Sequence, residues 1–97
     1  MDLSDDDRRL VAEMKARPLG PHSPNLQRLL DAWRSAPAEG KPVLIVRRPN
    51  REWVLGELGP RGTPVRVFAN QVFTDLADAE WRVFKLRWQR HRGTILE

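Results

Sequence analysis

Residues 74–93 read TDLADAEWRVFKLRWQRHRG and carry the signals of one long helix. Thr74 and Asp75 form an N-cap signature, and Gly93 is the residue type that most often follows the last turn of a helix. We therefore predict a helix from this cap to about His91. At about 100° per residue, its apolar side chains form two adjacent flanks. The first flank holds Leu76, Ala79, Val83 and Leu86, and the second, the tryptophan flank, holds Ala77, Trp81, Phe84 and Trp88.

The two flanks together make an apolar arc wider than packing on one small sheet requires, since an amphipathic helix needs a stripe of little more than about 100°. We therefore expect a further surface to cover the tryptophan flank. Arg87 projects to the middle of the arc, and a buried arginine needs a partner. Glu80 is two turns away, which is too far for an i,i+4 pair. Arg87 therefore either finds a carboxylate elsewhere in the fold or reaches a partner protein.

The residues before this helix predict short strands. Val43–Val46 is a mostly β-branched apolar run, which favours a central strand. Residues 53–58 follow as its hairpin partner, and Val65–Phe68 alternates at period two, which favours a third, edge strand. We predict an α+β fold with N-terminal helices, an antiparallel meander of two or three strands, and the long C-terminal helix packed on it.

Two shorter helices precede the strands. Ser4 predicts the N-cap of the first, whose apolar stripe is thin and indicates a peripheral arm at residues 1–18. Residues 18–24 hold three prolines and predict a linker. Ser23 and Pro24 then begin the second helix, whose core face is Leu26, Leu29, Leu30 and Trp33. Residues 19–97 are predicted to form one small domain.

Composition excludes several kinds of site. The 97 residues contain no cysteine, which excludes disulfides, a thiol nucleophile and thiolate metal ligation. They also contain no tyrosine. His22 and Ser23 are adjacent but point differently, and the serine already serves as a cap, so they do not predict a nucleophile and base. There is no apolar run long enough to span a membrane, and the start of the chain is acidic, unlike a signal peptide. We expect a cytoplasmic protein.

The net charge of +4 arises from 17 basic and 13 acidic residues, and 14 of the basic residues are arginine. Residues 81–97 hold five basic residues and one acidic residue, which accounts for the whole excess. Such a segment is compatible with a solvated or protein-contacting face, or with a nucleic-acid-binding module. The second alternative uses Arg82, Lys85, Arg87, Arg90 and Arg92, and predicts a steep salt dependence of binding. A third alternative is a regulator that homodimerises through the same helix.

An ordered set of residues resembles the N,N-dimethylformamidase small (alpha) subunit family over about residues 20–92. The most specific part is His22-Ser23-Pro24-Asn25-Leu26-Gln27-Arg28. It is followed by Trp33-Arg34, Gly40-Lys41, Arg51-Glu52-Trp53, Phe73-Thr74, and by Ala79, Phe84 and Arg87 on the last helix.

The resemblance implies a non-catalytic accessory subunit of an amide hydrolase, bound in a hetero-oligomer to a large subunit. That large subunit is expected to carry a mononuclear iron held by tyrosines and a glutamate. This chain is expected to carry no cofactor. The chain departs from the family in a shorter N-terminus and in aliphatic residues at tyrosine positions of the first strand, which leaves the amide substrate open. The expected partner interface consists of His22, Gln27, Arg28, Trp81, Phe84, Arg87 and Trp88.

Overall fold

The protein is described here by a computed structural model that covers residues 3–37 and 39–96. Within these ranges the helices are α1 (Asp5–Ala16), α2 (Pro24–Arg34) and α3 (Leu76–Arg92), and the strands are β1 (Pro42–Arg48), β2 (Glu52–Glu57) and β3 (Arg66–Phe73). The predicted α+β class is confirmed, with a meander of three strands. The division into an arm at 1–18 and a domain at 19–97 remains a prediction, and its ends at residues 1, 2 and 97 lie outside the described residues.

Each helix begins at a polar residue that the sequence predicts. The Ser4 hydroxyl, the Ser23 hydroxyl and the Asp75 carboxylate each accept a hydrogen bond from a first-turn backbone N–H, at 3.1, 3.3 and 2.8 Å. Gly93 ends α3 in the left-handed region, at a φ of 77°, where a side chain would be strained. These caps satisfy backbone groups that a helix leaves without internal partners.

The strands form one antiparallel sheet in the order β1-β2-β3. The prediction that Val43–Val46 is a central strand is wrong, because β1 lies at an edge and β2 is central. A run that is apolar at every position places apolar residues on both faces of the sheet. It does not require that a neighbouring strand lie at each of its two edges. The edge position predicted for the third strand is confirmed.

Helix α3 is the middle of three layers. On one side it lies against the sheet, where Leu86 shares a cleft with Leu55. On the other side it contributes to a buried cluster with α1 and α2. The cluster consists of Met14, Leu26, Trp33, Phe84 and Trp88. The chain's own N-terminal helices therefore cover the tryptophan flank, which explains the wide apolar arc.

Helix α1 adds more to the core than its thin apolar stripe predicts. Met14 is 3% exposed and belongs to the buried cluster, while Leu10 and Val11 pack against it. A long, flexible thioether fills irregular gaps well, so one methionine is enough to join this helix to the core.

Candidate partner interface

The seven residues predicted to form a partner interface do not share one surface. The structure places Phe84 and Trp88 in the core, and His22, Gln27 and Arg87 along a cleft. Trp81 and Arg28 lie outside both groups.

Phe84 and Trp88 are 1% and 0% exposed. The Trp33 ring centroid lies 5.3 Å from that of Phe84 and, edge-on, 6.1 Å from that of Trp88. This burial gives no support to the prediction that these two side chains face a partner, because they have almost no surface left to offer. The missed signal was the apolar face of α2, which itself needed a surface on which to be buried.

Trp81 and Arg28 retain accessible surface. Trp81 is half-buried, its ring stacks on Phe84 at 5.7 Å, and the Lys85 ammonium lies 5.7 Å from its ring centroid. Arg28 is exposed on α2. Contact of these two residues with a partner stays a prediction.

A cleft of about 180 Å³ runs between the linker, α2 and α3, and we call it the interhelix cleft. His22, Gln27, Arg87 and Glu80 are among the residues that line it. The Nε2 atom of His22 lies 3.0 Å from the Arg17 carbonyl oxygen, within hydrogen-bond distance. Helix packing thus brings together three of the seven predicted residues, two from the segment His22–Arg28 and the third from α3.

Arg87 and Glu80 carry opposite charges in this cleft without forming a close ion pair. Arg87 Nη2 donates to the Pro42 carbonyl oxygen at 3.2 Å, and its buried Nε has no hydrogen-bond partner among the described residues. Burial lowers the pKa of Arg87 and raises the pKa of Glu80, while the attraction between the two groups opposes both shifts. The sequence left two alternatives for Arg87, a carboxylate elsewhere in the fold or a partner protein. The described residues do not provide the first, since no carboxylate oxygen lies within 4.0 Å of the Arg87 guanidinium.

Arg87→Lys is expected to lower the free energy of unfolding by about 1 kcal/mol, because the ammonium does not reproduce the geometry of the guanidinium bond to the Pro42 carbonyl. Urea unfolding followed by circular dichroism measures the change. Arg28→Lys, on the exposed side of α2, is the matched control and is expected to be neutral. An equally neutral Arg87→Lys would show that the bond to Pro42 adds nothing to stability.

Hydrogen bonds near the start of the segment His22–Arg28 connect α1 to the N-terminus of α2. The Ser23 backbone N–H donates to Glu13 Oε2 at 2.5 Å, and the Ser23 hydroxyl donates to Glu13 Oε1 at 2.6 Å. These two bonds, the hydroxyl bond first, lower the pKa of Glu13. The segment therefore has a structural role at the start of α2, as the sequence indicates.

Glu13→Gln is expected to lower the melting temperature at neutral pH, because a glutamine side chain presents an N–H₂ where one of the two Ser23 donors needs an acceptor. A carboxylate with a lowered pKa stabilises the fold above its ordinary pKa of 4.5 and loses that effect as the pH falls through the folded-state value. The difference between wild type and Glu13→Gln should therefore shrink below about pH 4.5. Thermal unfolding from pH 7 to pH 3 tests this, and a difference independent of pH would contradict it.

The basic side chains of α3 are engaged within the chain. Arg82 donates to Gln71 at 3.4 Å, Arg90 to the Glu39 carbonyl at 2.6 Å, and Arg92 to Asp7 at 3.2 Å. With Arg87 on Pro42 and Lys85 over Trp81, all five residues of the nucleic-acid alternative contact groups of their own chain. The structure gives that alternative no added support.

One apolar surface that the sequence analysis did not predict lies on the sheet face away from α3. We call it the outer sheet face. In the antiparallel register, Val43 and Val67 pair with Gly56, and Ile45 and Val72 pair with Val54. Directly paired residues share a face of a sheet. The Ile45 and Val65 methyl groups also meet over Gly56, where an added Cβ would lie 2.7 and 3.0 Å from them. The outer sheet face consists of Val43, Ile45, Val54, Val65, Val67 and Val72. The unbroken apolar run of β1 was its sequence signal.

Among the described residues, no group of three His, Asp or Glu side chains is placed to hold a metal ion. Within residues 3–37 and 39–96, the helices include none that is long and apolar enough to cross a membrane.

Comparison with known proteins identifies a family model, described as N,N-dimethylformamidase alpha subunit, that matches residues 3–96. No curated protein matches the chain. The matched span contains both the interhelix cleft and the outer sheet face.

Proposed function

The chain belongs to the N,N-dimethylformamidase alpha subunit family, and on this basis we propose that it is the non-catalytic small subunit of a dimethylformamidase-like amide hydrolase, which binds and stabilises a large catalytic subunit. The match over residues 3–96 carries the proposal, because it includes all six helices and strands of the described chain. The proposed assembly is a hetero-oligomer located in the cytoplasm.

We assign the catalytic iron to the large subunit. The sequence contains no tyrosine, and the described residues bring no three His, Asp or Glu side chains together as a metal site. A chain without tyrosine has none to offer as the tyrosine ligands that the family resemblance implies. Its proposed contribution is to assembly and stability, while the identity of the amide is decided by the large subunit.

Purification of the tagged chain from its own host, at moderate and at high salt, tests the proposed function. We expect a large subunit of the dimethylformamidase type in fixed ratio at both salt concentrations, identified by mass spectrometry, with iron and amide hydrolysis in the complex and neither in the separated small chain. Nucleic acid that dissociates at high salt, without such a protein, would contradict the proposal, because phosphate contacts weaken steeply as salt rises.

A further inference from the structure

The outer sheet face is an apolar surface over which the described chain places no helix. Helix α3 occupies the other face of the sheet, and α1 and α2 pack across α3. Val65, Val67 and Val72 are 39%, 51% and 37% exposed. Val67 and Val72 flank the central strand at Gly56 and Val54, and a Val65 methyl group lies over Gly56, so the three lie beside one another on this face, while Val54 itself is 5% exposed. A continuous apolar patch of this kind marks an interaction surface more often than scattered exposed residues do.

Positive charge lies at both ends of this patch. Residues 42–73 contain five arginines and two glutamates, an excess of three positive charges. Arg47, Arg48 and Arg51 lie at the end with the β1–β2 turn, and Arg61 lies in the loop at the opposite end. The Arg66 guanidinium instead lies 5.2 Å from the ring centroid of Phe68, on the face towards α3. Glu52 is shared by Arg47 and Arg48, at 3.8 and 3.7 Å. In the described chain no carboxylate lies within 4.0 Å of the other three arginines.

An apolar centre with arginines at its border has the composition of a protein interface, since arginine is enriched there and pairs well with carboxylates. Three strands spaced about 4.8 Å apart, over roughly five residues each, give a face of roughly 250 Å². A stable interface buries about 800 Å² on each partner, so this face is sized to be the apolar centre of a larger contact.

We propose that the outer sheet face docks onto the large subunit, at an apolar patch bordered by carboxylates. This inference rests on the proposed function and adds the surface by which the subunit binds. A second copy of this chain fits the same face poorly, because two-fold symmetry would bring its own arginines towards their equivalents. The complementary charge belongs to a partner with acidic side chains around an apolar centre.

Val67→Asp is the direct test. The aspartate places a charge in the apolar centre and opposes the expected carboxylates of the large subunit, so capture of that subunit should fall about tenfold or more. Val67→Arg should reduce capture less, because its charge complements those carboxylates. The matched control is Val46→Asp, since Val46 is 56% exposed and pairs with Trp53 on the opposite face. It should retain capture within about twofold.

The measurement is capture of the large subunit from the host by the tagged full-length chain, with thermal unfolding of each variant. Loss with Val67→Asp and retention with Val46→Asp support the inference. Equal capture by both variants overturns it and leaves the proposed function intact, whereas failure of the wild-type chain to capture a large subunit overturns the proposed function itself.

A photo-crosslinking residue at position 67, compared with one at position 46, decides the result even if Val67→Asp does not fold. A crosslink from position 67 to an Asp- or Glu-rich segment of the large subunit supports the inference. A crosslink to a second copy of this chain, to nucleic acid or to nothing overturns it. Sedimentation velocity of the isolated chain checks the second-copy outcome, because self-association that Val67→Asp abolishes would assign the face to a homodimer.

Discussion

Trp88→Ala is expected to lower the free energy of unfolding of the chain by about 3 to 5 kcal/mol. Trp88 is 0% exposed, and its ring centroid lies 5.8 Å from that of Phe84 and 6.1 Å from that of Trp33. Alanine would leave a cavity between α3 and the two N-terminal helices, and side chains held by three helices relax into it only in part. For a domain of this size the melting temperature should fall by about 12 °C or more.

Urea and thermal unfolding of the isolated chain, followed by circular dichroism, measure this effect. Trp88→Phe should cost less, because it fills part of the cavity and removes an indole N–H that has no hydrogen-bond partner among the described residues. Arg28→Ala should stay within about 0.5 kcal/mol of wild type. Unchanged unfolding of Trp88→Ala together with lost capture of the large subunit would return Trp88 to a partner interface, as its sequence pattern first indicated.

Trp33→Ala is expected to cost about 3 kcal/mol or more and to release α2 from α3. Trp33 is 4% exposed and contacts three rings, those of Phe84, Trp88 and His91. Hydrogen exchange should increase most strongly in α2, because this side chain and Leu26 are its buried anchors. Backbone amides of β2 should lose protection only as far as the whole domain is destabilised.

His91 provides a second readout of the same variant. Its ring stacks on Trp33 at 5.5 Å with an interplanar angle of 10°, and burial lowers the pKa of His91. Removal of the indole should let the pKa of His91 rise towards 6.5, its ordinary value, which a nuclear magnetic resonance titration of the imidazole detects.

The Trp33→Ala/Trp88→Ala double variant should lose less free energy of unfolding than the sum of the two single losses, because both substitutions remove the same ring contact. Additive losses would show that the two rings are not coupled.

Local signals in the chain predicted the elements well. Ser4, Ser23 and Asp75 each have a side-chain oxygen that competes for a first-turn N–H, and Gly93 tolerates a positive φ. These preferences depend on neighbours within four residues, so they do not need the rest of the fold. The resemblance carried by the His22–Arg28 segment is confirmed at the level of the family.

Burial was less predictable, because it depends on which apolar surfaces meet. The sequence showed that both flanks of α3 and the apolar face of α2 required cover, but periodicity does not say which surface covers which. Tertiary packing placed α2 on the tryptophan flank and so buried Phe84 and Trp88, two residues of the predicted interface. It also brought His22, Gln27 and Arg87 to one cleft, although they come from segments about 60 residues apart in the sequence.

Local patterns along the chain thus predicted its helices and strands, their caps, the fold class and the family. Packing between distant segments makes β1 an edge strand and α3 the middle layer, and it places no helix of the described chain over the outer sheet face. The physical reason is that hydrogen bonding and dihedral preferences are local, whereas burial is shared between surfaces that are distant in the sequence.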